Sequence, residues 1–138
     1  MTTLKKVHDE HNRLCKKAYD LVEQKGHDYN RTQQNDGDTL YNLVAPTHDG
    51  ITDTVTQPIL VRISDKWHRL ISLTKDTNVN PKITGEKVED TVVDMINYLV
   101  YLKVKYDEER KTKHDGFDWM TRTIRRRNSS HPTRDGNH

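Results

Sequence analysis

Apolar side chains recur at helical spacing in three stretches of the chain. Leu4, Val7, His11, Leu14, Ala18 and Leu21, with Val22 alongside, fall on one stripe and predict an amphipathic helix over about Thr3–Gln24. Thr2 or Thr3 is placed to cap its start, and Gly26 to end it. Ile59, Ile63, Trp67, Leu70 and Ile71 make the apolar face of a second helix, about Gln57–Thr74, with Thr56 as its cap and Pro58 in its first turn. Val88, Val92, Met95, Ile96, Leu99 and Leu102 form the core stripe of a third, about Gly85–Arg110. A short helix is predicted near Phe117–Ile124. No stretch alternates with the period of a strand, and no segment repeats.

The stretches between are polar. Gly26 to about Thr54 holds Gly37, Pro46 and Gly50 among many Asn, Asp and Thr residues and reads as a long loop. Inside it, the apolar island from Leu40 to Val44 suits a helical turn or a contact that packs the loop down. Loops of this length in a compact domain are usually functional or disordered. Lys75–Thr84, with Asn78, Asn80 and Pro81, reads as a connection. The expected fold is all-α: a small bundle of three to four helices, with the long loop between helices 1 and 2. Residues 1–110 would form the helical nucleotide-binding domain. Residues 111–138 would be a basic extension with one short helix and then disorder.

Composition sharpens this. Of 138 residues only 31% are hydrophobic, so a single small domain has a thin core, and self-association as a dimer or tetramer would complete it. No apolar run approaches the roughly 18 residues of a membrane span, and Met1–Lys6 leads straight into charge, unlike a secretory leader. Cys15 is the single cysteine, which excludes an internal disulfide framework and a multi-cysteine zinc site and fits a reducing, cytoplasmic setting. It sits on the apolar side of the first helix without an evident base, so a nucleophilic role is not expected. His11, on the same stripe, suits a core or interface position better than a ligand's. The formal net charge of +2 hides an asymmetry: Met1–Glu109 is net negative, while Arg110–His138, with Arg125-Arg126-Arg127, is net positive. Such a tail suits solubility more than nucleic-acid contact.

The candidate chemistry lies on two helices. Glu86, Asp90 and Asp94, at i, i+4 and i+8, share a face of the third helix with Asn97 and Tyr101. Like charges stacked in this way repel by a few tenths of a kcal/mol per exposed pair. A cation is therefore expected opposite, and Mg²⁺ (or Mn²⁺) is the economical one, because it takes carboxylate oxygens and bridges to phosphate. The alternative is a solvated acidic face. On the second helix Arg62, Asp65 and Arg69 share a polar face; arginine suits phosphate, and Asp65 is either a further metal ligand or an intrahelical ion-pair partner. The wheel does not group Lys66 or His68 with them. After the first helix, Lys25 is within reach of a phosphate, and Tyr29 suits stacking on a base. Trp67 lies on the apolar face and is expected in the core. A Gly-rich phosphate loop and a His-Glu-x-x-His zinc pattern are both lacking.

Three segments carry a family resemblance: Lys25-Gly26-His27-Asp28-Tyr29, then Arg62-Ile63-Ser64-Asp65-Lys66-Trp67-His68-Arg69-Leu70, then Glu89-Asp90-Thr91-Val92-Val93-Asp94-Met95-Ile96-Asn97-Tyr98. In order and spacing they resemble the phage-type nucleotide-modification-associated domain 1 family. That family is in turn similar to the MazG-like all-α nucleoside triphosphate pyrophosphohydrolases, which hold Mg²⁺ with acidic residues on two helices. The resemblance implies Asp94 as the leading metal ligand, then Asp90, with Asp65 for the other helix; Asp65 and Asp94 would be catalytic. It also brings Asp28 and Lys66 into the phosphate-binding set with Lys25, Tyr29, Arg62, Arg69, Asn97 and Tyr101. The chain departs from those enzymes in two places. Asp65 has Arg62 and His68 three residues away where a Glu-x-x-Glu pair is usual, and Thr91 stands where a Glu is usual. A nucleotide site is thus better supported than hydrolysis.

Three function classes follow. In the first, Mg²⁺ held by Asp65, Glu86, Asp90 and Asp94 assists hydrolysis of a deoxynucleoside triphosphate to monophosphate and pyrophosphate, in phage nucleotide metabolism or DNA modification. In the second, the protein binds or sequesters a nucleotide without turnover. In the third, a small helical protein contacts nucleic acid through its tail arginines.

Overall fold

The computed structural model describes the backbone of residues 1–29, 39–75 and 80–128, and the side chains of residues 1–25, 39–75 and 80–116. The described residues form four helices and no strand: α1 (Leu4–Tyr29), α2 (Tyr41–His48), α3 (Thr56–Lys75) and α4 (Pro81–Asn128). The all-α expectation holds. The chain divides into two compact units, Met1–Lys105 and Tyr106–His138.

Several helix ends differ from the sequence expectation, each for a local reason. α1 continues through Gly26 to Tyr29. A glycine inside a helix costs about 1 kcal/mol relative to alanine but does not by itself stop it; a glycine stop uses the left-handed conformation, which among the described glycines belongs to Gly50. The start of α3 is held by Thr54 and Gln57 rather than by Thr56. Gln57 Oε1 accepts from the backbone N–H of Asp53 at 2.7 Å and of Thr54 at 3.3 Å, and the Gln57 N–H returns to the Thr54 carbonyl. This is the backward half of a Thr-x-x-Gln capping box. α4 begins at Pro81, ahead of Gly85, because Asn80 caps it: Asn80 Oδ1 accepts from the Lys82 N–H at 3.0 Å, and proline at the first helical position lacks only a donor that would be unpaired there. The stretch near Phe117–Ile124 belongs to α4 rather than to a separate helix.

Within the long segment read as loop, Tyr41–His48 is helical and ends in a Schellman turn. The Gly50 N–H reaches the Thr47 carbonyl at 3.1 Å, and the Ile51 N–H reaches that of Pro46 at 2.8 Å, with Gly50 at φ 75°. Thr47 Oγ1 then meets Thr52 Oγ1 at 2.8 Å and donates to the Thr54 carbonyl at 2.9 Å, which folds α2 back against α3.

Among the described residues the core of the first unit draws buried apolar side chains from each helix: Ala18, Val44, Pro58 with Ile59, and Val93. It is thin, as the composition predicts. The buried edges of two helices are turned from the expected stripes. On α3 the inner face runs through Ile59, Ile63, Lys66, Leu70 and Leu73, rotated by roughly 50° from the stripe centred near Trp67. Trp67 is accordingly 56% exposed rather than in the core. On α4, Leu99 is also exposed, while Thr91, Val93 and Asn97 are buried. This helix has partners on two sides, α1 through Glu89 and Asn97 and α3 through Asp94, so its burial spreads beyond one stripe. Leu4, Val7 and His11 of the α1 stripe are exposed too; among the described residues the hydrogen bonds from α1 to α4 start at Arg13.

The helical part of the second unit carries local pairs one turn apart. Arg110 Nη1 donates to Tyr106 Oη at 2.7 Å with its guanidinium over that ring, and Lys113 pairs with Glu109. Among the described residues no helix is long and apolar enough to cross a membrane.

Candidate functional site

Three basic residues, Arg13, Lys17 and Lys66, meet the acidic face of α4. Glu89 accepts from Arg13 and, at 2.7 Å, from Lys17, both on α1. Lys17 also lies 3.3 Å from Asp90. From the other side, Lys66 of α3 places its Nζ 2.6 Å from Asp94 Oδ2. Arg13 and then Lys17 hold the Glu89 carboxyl down at about 2, and Glu89 followed by Asp90 raises the Lys17 ammonium. One turn on, Asn97 is buried and donates from Nδ2 to the Ala18 carbonyl at 3.1 Å, which ties α4 to α1.

Two adjoining cavities open around Asp94. The larger, about 490 Å³, lies between α1 and α4 and is lined by Lys17, Asp20, Leu21, Gln24, Lys25, Asp90, Val93 and Asp94. That volume is within the roughly 300–1,000 Å³ common for small-molecule sites. The smaller, about 120 Å³, lies where the end of α1 and the start of α2 meet α4. Val22, Thr39, Leu40, Asn42, Leu43, Asn97, Tyr98 and Tyr101 line it, again with Lys25 and Asp94. Tyr98 and Tyr101 stand edge to face with ring centroids 6.0 Å apart. Lys25 and Asp94 are common to both cavities, so one ligand could occupy both and touch each.

Of the residues singled out from sequence, Lys25, Asp94, Asn97 and Tyr101 come together here, Asp90 lines the larger cavity, and Lys66 reaches Asp94 from outside the lining. The others lie apart. Asp65 is 63% exposed and has Arg62 at 4.0 Å as its partner; Arg69 is exposed on the same helix. Glu86 is exposed, two turns before Asp94. The line Glu86–Asp90–Asp94–Asn97–Tyr101 therefore runs from solvent into the protein and is not one uniform face. The side chains of Asp28 and Tyr29 lie outside the described residues. Sequence reasoning missed Lys17 and Asp20, which look like ordinary solvated positions of α1; their spacing from Leu21 and Lys25 along one helix was the available signal.

The side chains that the sequence predicts as ligands of a divalent ion do not gather at one point. Among the described residues no three His, Cys, Asp or Glu side chains gather in a group that could hold a metal. The expected set of Asp65, Glu86, Asp90 and Asp94 is divided: Asp94 takes Lys66, Asp90 takes Lys17, and the other two are in solvent on separate helices. Thr91, where the resembling enzymes carry Glu, is buried and donates its hydroxyl to the Lys87 carbonyl at 2.7 Å. Lysines stand where the sequence pattern calls for a cation.

No protein-family model, curated protein or solved structure matches the chain.

Proposed function

We propose that the protein binds a nucleotide, with its phosphates in the larger cavity near Lys17 and Lys25 and its base toward Tyr98 and Tyr101. The observation that carries this reading is the pair of cavities joined at Lys25 and Asp94, one lined by lysines and carboxylates and the other by two aromatic rings. A nucleotide has the same division, an anionic end and a flat aromatic end with polar edges. Two of the three segments that resemble the nucleotide-modification family, the one that starts at Lys25 and the one from Glu89 to Tyr98, lie on α1 and α4, the helices that line both cavities. Of the three classes, binding without turnover accords best with carboxylates that already have lysine partners. The Mg²⁺-dependent pyrophosphohydrolase would need Asp94 and its neighbours released to a metal. The residues that line the two cavities all belong to the first unit, which carries no net positive charge and suits a long nucleic acid less than a small anionic ligand held by a few lysines, so nucleic-acid binding is the weakest reading. The protein would act on the cytoplasmic nucleotide pool, the host's if the chain is phage-encoded. Association into a dimer or tetramer would cover exposed apolar residues such as Leu4, Val7 and Trp67.

The test is equilibrium binding of a (d)NTP panel, with Mg²⁺ and Mn²⁺ present, followed by ion-exchange analysis of the products. Saturable binding with intact triphosphate is the expected result. Monophosphate and pyrophosphate would identify the hydrolase instead. No binding by any nucleotide would end both readings.

A further inference from the structure

We propose that lysine ammonium groups, in place of a divalent ion, hold the phosphates at this site, and that Asp94 competes with the ligand for Lys66. This rests on the nucleotide-binding reading and gives it a charge mechanism.

The ion pairs differ in how easily they exchange. Glu89 has two cationic partners, Arg13 and Lys17, so Lys17 can leave it for a phosphate without stranding the carboxylate. Its second partner, Asp90, is 71% exposed and is solvated when Lys17 moves. Lys17 is therefore a readily available cation at the larger cavity. Lys66 is held more firmly. Its side chain is 24% exposed and that of Asp94 is 29% exposed, so the 2.6 Å pair is only partly screened by water. Asp94 lines both cavities, and a phosphate entering either one meets its negative charge with Lys66 behind it. A bound anion gains by drawing Lys66 toward itself and loses by its repulsion from Asp94. Metal binding and lysine binding thus make opposite predictions for one substitution. If Asp94 is a metal ligand, Asp94→Asn weakens phosphate binding. If Asp94 is a competitor, the same change strengthens it, by roughly tenfold for one unit charge removed at short range under partial screening.

The experiment is calorimetric titration of the full chain with a dNTP and with inorganic triphosphate, each in EDTA and in Mg²⁺. The proteins are wild type, Asp94→Asn, Asp90→Asn and Lys66→Met. Expected are binding by the wild type in EDTA, tighter binding by both asparagine variants, and weaker binding by Lys66→Met. Asp90 is mostly in solvent, so Asp90→Asn keeps the test decisive should Asp94→Asn not fold. Wild-type binding that requires Mg²⁺, or asparagine variants that bind more weakly, would overturn the lysine mechanism and leave the nucleotide reading standing. Tight binding of triphosphate alone would support the lysine mechanism and remove the role given to the base. No binding in any arm would sink both.

Discussion

Lys66 Nζ and Asp94 Oδ2 lie 2.6 Å apart, joining α3 to α4 across 28 residues of sequence. Both side chains are largely shielded, so the pair differs from the exposed lysine–carboxylate pairs one turn apart on α1. Exposed pairs contribute at most about 1 kcal/mol, and often nothing measurable. For Lys66 and Asp94 a double-mutant cycle of Lys66→Met and Asp94→Asn, read by urea unfolding, should give a coupling on the order of 1 kcal/mol that shrinks in high salt. A coupling near zero would show that the two groups are solvated separately.

Asn97 provides a second tie, from α4 to the Ala18 carbonyl of α1. Asn97→Ala removes the donor and leaves space beside a buried carbonyl, and should lower stability by about 1–2 kcal/mol. Asn97→Asp places a carboxylate against that carbonyl. Burial and the lost donor raise its folded-state pKa above the unfolded value of about 3.9, so its penalty is present at neutral pH and fades as the pH falls toward that value. Chemical unfolding at pH 7 and at pH 4 should therefore show the Asp variant recovering relative to wild type at the lower pH. Equal deficits at both would place residue 97 in contact with solvent.

Glu89 makes the acid side of the stability curve steep. Its carboxyl is held near 2, below its ordinary value of 4.5, chiefly by Arg13 and then by Lys17. A carboxylate with a lowered folded-state pKa stabilises fully above the unfolded value, and the contribution is lost as pH falls through the folded one. Between about pH 4.5 and 2 the wild type should lose thermal stability faster than Glu89→Gln, and the difference should narrow in high salt. Parallel melting curves for the two proteins across that window would remove Glu89 from its place as the α1–α4 clasp.

Gly50 closes α2 with φ 75° and has open space where a Cβ would project. The cost of a side chain there is conformational and not steric crowding by neighbours. Gly50→Ala should destabilise by about 1 kcal/mol, and Gly50→Asn by less, since asparagine tolerates the left-handed region. Denaturant midpoints for the two variants check the order. If alanine is neutral, the turn does not need this backbone conformation.

The amino-acid sequence alone determined the helices and much of their content. Apolar residues at i, i+3 and i+4 specify helix and little else, so the all-α class and the three main helical stretches were legible from spacing. The helical geometry also placed Asp90, Asp94, Asn97 and Tyr101 on one side of their helix, and the motif segments pointed to Lys25 and Asn97. Helix ends were less legible, because Asn80-Pro81 and Thr54–Gln57 are capping pairs that look like linker until their hydrogen bonds form.

Only the tertiary structure decided which faces meet. A wheel locates an apolar stripe to within about one residue step, and one step on α3 exchanges Trp67 for Lys66 at the inner edge. That rotation turns Trp67 to solvent and brings a lysine to Asp94. Lys17 and Asn97 find their partners more than 70 residues away, at Glu89 and Ala18. No local pattern encodes such pairings, because they follow from how whole helices pack around a core of few buried residues.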